Sequence, residues 1–185
     1  EFTSVTGSGP FGPTFIVGGN PTALVRADFN NDNYPDIAVL NASDPSVGIL
    51  RGKNNGLFGA MTKVNGICSG GNDLTTADFN ADGNMDIVVA CSGSDQFAVL
   101  LGNGDETFTV TNIATATGDL PSGVVAGDFN GDGKMDIAIS NAGVNTVDIR
   151  FGNGDGTFQA PVGYNVGQTP SSIITVDLDS DGKLD

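Results

Sequence analysis

Short apolar runs, separated by stretches rich in glycine, asparagine and aspartate, recur along the whole chain. The runs at 37–40, 87–90 and 137–139 are almost continuously apolar, which is typical of strands buried on both faces. Other short runs, bounded by turn residues, surround each of them. In the third copy of this pattern, we predict four strands near the ranges 123–129, 135–140, 146–151 and 157–165.

The pattern repeats about every fifty residues. ADFNNDNYPDIAVLN (27–41), ADFNADGNMDIVVAC (77–91) and GDFNGDGKMDIAISN (127–141) are spaced by 50 residues, and VDLDSDGKLD (176–185) follows after 49. A second motif keeps step with the first: LRGKNNGLFG (50–59), LLGNGDETFT (100–109) and RFGNGDGTFQ (150–159). A four-stranded antiparallel unit of this length is typical of a β-propeller blade. A solenoid of β-coils is the alternative, although its repeats are usually shorter.

We therefore predict an all-β fold, with β-propeller blades of four antiparallel strands and about three and a half blades in one repeat domain, 1–185. The predicted parts are 1–22, the last strand of a preceding blade; the blades 23–72, 73–122 and 123–171; and 172–185, the first strand and acidic loop of a further blade. We expect the chain to belong to a larger propeller of about 6 to 8 blades. The alternative is a unit that completes its open blade with another chain.

The composition is acidic, with 22 Asp and Glu against 7 Lys and Arg and a formal net charge of −15. Such a charge repels phosphate backbones and anionic lipid surfaces, which argues against a nucleic-acid partner. No apolar run is long enough to predict membrane insertion. The acids are concentrated, because 13 of the 22 lie in the four copies of the first motif.

Each of these acidic loops follows the pattern D-x-[N/D]-x-D-[G/N]-x-x-D. Side-chain oxygens at positions 1, 3, 5 and 9, with the main-chain carbonyl at position 7, match the hard oxygen ligands of Ca²⁺. Position 6 is Gly in three loops and Asn33 in the first, and both residue types tolerate the sharp bend needed there. An EF-hand needs an acid at position 12, where these loops have Val or Ile inside a predicted strand.

Mg²⁺ prefers rigid octahedral shells, and Zn²⁺ prefers His or Cys ligands, so neither suits these loops. Turn capping by Asp and Asn is the alternative explanation. Four copies with the same ligand positions favour calcium, because turn formation alone requires an acid at neither position 5 nor position 9. Clustered carboxylates also repel one another without a cation.

The motifs DFNxDGxxDI and LGNGDGTF resemble the FG-GAP, or VCBS-type, repeats of integrin α-subunit propellers, and the resemblance covers residues 11–185. It implies that each loop joins the first and second strands of a blade, and that three to four Ca²⁺ ions brace the loops without taking part in chemistry. It also implies a main-chain carbonyl ligand at Tyr34, Asn84, Lys134 and Lys183. The implied ligand sets are Asp28, Asn30, Asp32, Tyr34 and Asp36; Asp78, Asn80, Asp82, Asn84 and Asp86; Asp128, Asn130, Asp132, Lys134 and Asp136; and Asp177, Asp179, Asp181, Lys183 and Asp185.

Cys68 and Cys91 match no metal motif by number or spacing. If the first two strands of the second blade form a hairpin, residue 91 lies opposite roughly residue 73, just after Cys68. A Cys68–Cys91 disulfide would then close a loop of roughly 24 residues, worth about 3 kcal/mol, and would suit an oxidising compartment. Two buried free thiols are the alternative.

Asn41 begins an N-glycosylation sequon in a predicted turn, which matters if the source is eukaryotic.

These features predict a calcium-binding extracellular propeller, secreted or at the cell surface, that acts as a recognition or adhesion module. The expected ligand is a protein or a glycan, and the glycan is less favoured because the chain has no Trp and only Tyr34 and Tyr164 as tyrosines. We expect no enzyme, because the chain has no His and its clustered carboxylates are committed to metal. The alternatives are a structural subunit of a surface fibre or layer, self-associating through the incomplete blade, and an accessory domain of a secreted carbohydrate-active enzyme.

Overall fold

The computed structural model describes residues 15, 17–116, 118–180 and 184–185. Within these residues, twelve strands form three sheets, each with four antiparallel strands in chain order. The strands are β1 (Pro21–Ala27), β2 (Asp36–Asn41), β3 (Ser46–Gly52) and β4 (Phe58–Asn65); β5 (Gly71–Ala77), β6 (Asp86–Cys91), β7 (Gln96–Gly102) and β8 (Phe108–Ala114); and β9 (Pro121–Gly127), β10 (Asp136–Asn141), β11 (Thr146–Arg150) and β12 (Val162–Asn165). The predicted all-β fold of four-stranded blades is confirmed.

The blades lie side by side in chain order, with β1 packed against β5 and β5 packed against β9. The second strands are the most buried, because every residue of β6 and β10 is buried and β2 has one half-buried exception, Ile37. One core cluster fills the interface of the first two blades and another fills the next. Aromatic pairs cross both interfaces, with ring centroids 5.9 Å apart for Phe29–Phe108 and 5.6 Å apart for Phe79–Phe158.

Each first strand begins two residues before the predicted blade boundary, and a β-bulge near its start interrupts its pairing with the second strand. Thr22, Asn72 and Ser122 are the residues skipped in the three registers. Their side chains instead donate hydrogen bonds to main-chain carbonyls about fifty residues further on. These bonds are Thr22 Oγ1 to Gly71 O at 3.1 Å, Asn72 Nδ2 to Pro121 O at 3.1 Å, and Ser122 Oγ to Pro170 O at 2.6 Å.

The last strand and the two ends differ from the prediction. β12 begins at Val162 instead of near residue 157, and a single bridge between Gly152 and Phe158 precedes it. In the described part of 172–185 no regular strand forms, although Val176 and Asp185 exchange two backbone hydrogen bonds, at 3.0 and 3.5 Å. Most of the predicted strand in 1–22 lies outside the described residues. The number of blades in the whole protein stays a prediction.

Candidate calcium loops

The three complete acidic loops join the first and second strands of their blades, at 28–35, 78–85 and 128–135. Position 6 is left-handed in each, with φ of 65° at Asn33, 85° at Gly83 and 83° at Gly133, as the sequence predicts. Position 4 is left-handed as well, which the sequence pattern did not predict. Its φ values are 58° at Asn31, 58° at Ala81, 76° at Gly131 and 64° at Ser180 of the last loop. Asn31 and Gly131 could have indicated this conformation, because Asn and Gly tolerate a positive φ. Ala81 gives no such indication, and its left-handed conformation costs roughly 1–2 kcal/mol.

These two left-handed residues curl the loop around the carboxylate at position 1. Asp28 Oδ1 accepts from the amide of Asp32 at 3.2 Å, and Asp28 Oδ2 accepts from the amide of Asn33 at 2.6 Å. Asp78 and Asp128 accept from the corresponding amides of their own loops. The Gly133 amide is the main cause that holds the pKa of Asp128 below its ordinary value.

The aspartate at position 9 is fully buried in all three loops and joins the two repeated motifs. In the second blade, Asp86 Oδ2 accepts from the Phe79 amide at 2.8 Å, and its Oδ1 accepts from the Gly102 amide at 2.8 Å. Asp36 and Asp136 make the same pair of bonds, at 2.7 to 2.9 Å. Contrary to the expectation from the sequence, the turn does use an acid at position 9, because this carboxylate anchors the second motif to the loop.

Burial raises the pKa of Asp86 to about 6, against the lowering effect of the two amides. Burial likewise raises the pKa of Asp36. A carboxylate in such a place is costly to ionise unless a cation is near. At position 5 the opposite holds for the exposed Asp82, because the Asn84 amide lowers its pKa.

The donor set of these loops fits calcium in kind, since each loop offers hard carboxylate and amide oxygens at alternate positions. In the described part of the chain, the one group of three acids whose oxygens lie within 4.8 Å of one another is Asp177, Asp179 and Asp185 of the last loop. Asp181 and Lys183 lie outside the described residues. The acids of the complete loops are turned toward backbone amides instead. The carbonyl ligands at Tyr34, Asn84 and Lys134 stay a prediction.

A model of the FG-GAP-like repeat family matches residues 28–89 and again 78–139. Each match runs from one acidic loop to the second strand of the following blade. The chain belongs to the FG-GAP-like repeat family. This assignment agrees with the resemblance seen in the motifs. A comparison with curated proteins finds no match.

Among solved structures, this FG-GAP-like chain is similar to a lectin of Agrocybe aegerita, described for its specific recognition of non-reducing terminal N-acetylglucosamine. The TM-score is 0.59 at 23% sequence identity, and the alignment covers 89% of this chain and 45% of the lectin. At this identity, the likeness shows a shared fold. The chain spans less than half the length of that lectin.

The FG-GAP-like blades carry one disulfide among the described residues, and it is the predicted one, Cys68–Cys91, with the Cα atoms 5.9 Å apart. The predicted register was two residues off. The regular pairing of Asp73 with Ala90 differs from it by one residue, and the bulge at Asn72 adds another and places Gly71 opposite Cys91. The bond ties the connection between the first two blades to the last residue of β6, and the loop that it closes is worth about 3 kcal/mol.

The glycosylation prediction at Asn41 is wrong for the folded chain. Asn41 is the last residue of β2 and not part of the turn, and it is 1% exposed. Its Nδ2 donates to Ser46 Oγ at 3.4 Å, and its side chain lies so close to Gly18 that an added Cβ there would meet Asn41 Cγ at 2.6 Å. The folded chain leaves no room for a glycan on this amide.

Proposed function

We propose that this chain is a calcium-braced segment of a β-propeller that acts outside the cell as a recognition or adhesion module. The observation that carries the proposal is the repeated arrangement of the three complete loops. Each loop carries oxygen-bearing side chains around a left-handed bend, and each is tied to the second motif by a buried aspartate. Calcium would supply positive charge at these loops and so hold the surface that they form.

One observation supports an extracellular location. The Cys68–Cys91 disulfide suits an oxidising compartment. Among the described residues, no helix has the length and apolar character needed to cross a membrane.

We propose a protein or a glycan as the ligand, bound at the loop end of the blades or at the blade edges. The fold shared with a glycan-recognising lectin supports the glycan. The absence of Trp and the small number of tyrosines favour the protein. We propose no catalytic activity, because the clustered carboxylates are engaged by backbone amides that hold the loops.

Thermal unfolding with calcium and with chelator tests the metal. At calcium a hundredfold above its Kd, each occupied site adds about 2.7 kcal/mol, so we expect Tm to rise by several degrees, about 5 °C or more. Asp82→Ala removes a predicted ligand, while Asp105→Ala removes an acid of the second motif that is also exposed and is the matched control. The calcium-dependent rise should shrink in the first variant and persist in the second. A Tm that does not respond to chelation would contradict the proposal.

A glycan array that includes chains ending in N-acetylglucosamine tests recognition, with calcium and then with chelator. Binding that is lost on chelation supports a glycan ligand. Absence of binding to every glycan, with calcium bound, leaves the protein ligand as the proposal.

A structural role in a fibre or layer is the second candidate, because large apolar side chains are exposed on β1 and in the described part of 172–185. Leu24 is 65% exposed, and Ile174 and Leu178 are 79% and 77% exposed. Molecular mass in solution separates the candidates, because a structural subunit would form open assemblies that grow with concentration.

A further inference from the structure

A positively charged side chain from β3 lies against the first acidic loop. Arg51, on β3, places Nη2 at 3.1 Å and Nε at 3.3 Å from Asp32 Oδ2, at position 5 of the loop. Fifty residues further on, the repeat has Leu101 and then Phe151 in the place of this arginine. Among the ion pairs of the described residues, none reaches an acid of the second or third loop.

A glutamate from the next blade holds this arginine in place. Glu106 Oε1 lies 3.5 Å from Arg51 Nε and also accepts from Asn30 Nδ2 at 2.9 Å, while Oε2 accepts from Thr62 Oγ1 at 3.1 Å. The side chain of Glu106 is 12% exposed, so it lies well inside the interface. The other two blades have glycine at this position, Gly56 and Gly156.

The turn around Glu106 does not need a side chain at this position, because its backbone conformation and amide bond are those of the glycine in the third blade. Its φ is 68°, a conformation that glycine adopts without strain. Its amide donates to Phe29 O at 3.2 Å, and Gly156 makes the same bond to Phe79 O at 3.0 Å. The link between turn and loop is therefore common to both interfaces, whereas the contacts to Arg51 and Asn30 belong to the first alone.

These contacts change the hydrogen bonds between positions 3 and 5. In the second loop Asn80 Nδ2 donates to Asp82 Oδ2 at 2.9 Å, and Asn130 donates to Asp132 in the third loop at 3.2 Å. In the first loop the amide of Asn30 is turned to Glu106, and the guanidinium of Arg51 takes the free oxygen of Asp32. Asp32, a predicted ligand of the first loop, is therefore paired with a positive charge when no metal is bound.

We propose that Arg51 acts as a substitute cation in the first loop and lowers the affinity of that loop for calcium, an inference that rests on the proposed calcium function. A guanidinium on a ligand carboxylate repels a second cation and removes part of the negative charge that attracts it. The ion pair is partly exposed, so we expect a moderate effect, a gain of about three- to tenfold in affinity when the charge is removed.

Terbium luminescence can measure metal binding at the first loop separately from the other loops. Tyr34 stands at position 7 of the first loop, and the chain has no Trp and just one other tyrosine, Tyr164, on β12. Excitation of tyrosine should therefore sensitise Tb³⁺ bound at the first loop, and Tyr34→Phe should abolish the signal. Displacement of Tb³⁺ by Ca²⁺ then gives the calcium affinity of that site.

The test compares the unchanged chain with Arg51→Leu, which introduces the residue of the second blade, and with Arg51→Gln, which removes the charge without adding apolar surface. Lys63→Leu is the matched control. It removes one positive charge from the same blade, where Lys63 pairs with Asp44 at the opposite end. We expect both Arg51 variants to bind Tb³⁺ and Ca²⁺ about three- to tenfold more tightly at the first loop, and the control to bind as the unchanged chain does.

Equal or weaker affinity in both Arg51 variants would overturn the inference and leave the calcium proposal standing. An equal gain in Lys63→Leu would also overturn it, because net charge alone would then explain the result. Absence of any Tyr34-dependent, calcium-displaceable signal in all the chains, together with a Tm that chelation does not change, would overturn the proposed function itself.

Discussion

Leu24 and Leu74 hold the same position in adjacent blades, yet 65% of Leu24 is exposed and 4% of Leu74. Both pair with a valine of the second strand in the same register, Val39 and Val89. The difference lies in the neighbours, because β5 packs between β1 and β9, whereas β1 packs against β5 on one side. The repeat therefore determines the hairpin, and the next blade determines its burial.

This comparison separates two contributions to stability. In a repeat protein, the free energy of unfolding is approximately a sum of terms within each repeat and terms at each interface. At interface positions, the same substitution in two blades should therefore lower the free energy of unfolding by different amounts. At positions bonded within a blade, it should lower that free energy by the same amount.

The largest effect is expected at the phenylalanine of the first motif. Phe79 is 2% exposed and packs on Phe158, whereas Phe129 is half-buried. Phe79→Ala should lower the free energy of unfolding by about 3 to 5 kcal/mol, and Phe129→Ala by about half as much. Urea unfolding followed by circular dichroism measures both. Equal losses would mean that the interfaces do not control stability.

The leucines give a matched pair of smaller effect. Leu74→Ala should cost about 2 to 4 kcal/mol, because it opens a cavity in a packed interface. Leu24→Ala should change stability by no more than about 0.5 kcal/mol, as at most surface positions. Measurement at two protein concentrations sharpens the result. A large, concentration-dependent loss for Leu24→Ala would show that this face is covered in solution.

The smallest contrast should appear at the buried aspartates. Asp36, Asp86 and Asp136 each accept two backbone amides from their own blade. Replacement by Asn turns one acceptor into a donor that faces an amide, which costs about 2 kcal/mol. With chelator present, the three variants should lose the same stability within experimental error. A graded series would show that the neighbouring blade also acts on this carboxylate.

The repeat allowed much of the fold to be predicted. A fixed period with two motifs defines two turns in each unit, and the apolar runs between them define the strands. The Cys68–Cys91 pairing followed from the hairpin around the second loop. Local sequence is sufficient for these features because the hairpins are formed by residues close in the chain.

The features that were missed depend on contacts between distant residues. The bulges at Thr22, Asn72 and Ser122 share no residue type, although all three residues are small and polar. The role of the aspartate at position 9 depends on an amide 16 residues away. Asn41 matches a sequon, and a sequon carries no information on burial. Cys91 is the residue of the second blade that is equivalent to Asn41. Its predicted disulfide could have indicated that the last residue of the second strand is buried.

The hydrogen bonds from the second-motif turns of the second and third blades to the acidic loop of the blade before them point the same way. The Glu106 amide donates back to Phe29 O, and the Gly156 amide donates back to Phe79 O. A row of such blades therefore has two unlike ends, with the amide of a second-motif turn at one end and the carbonyl of an acidic loop at the other. The same joint would serve for adding a repeat, closing a ring or docking another row head to tail. Two rows could not meet tail to tail through it, because acceptor would face acceptor.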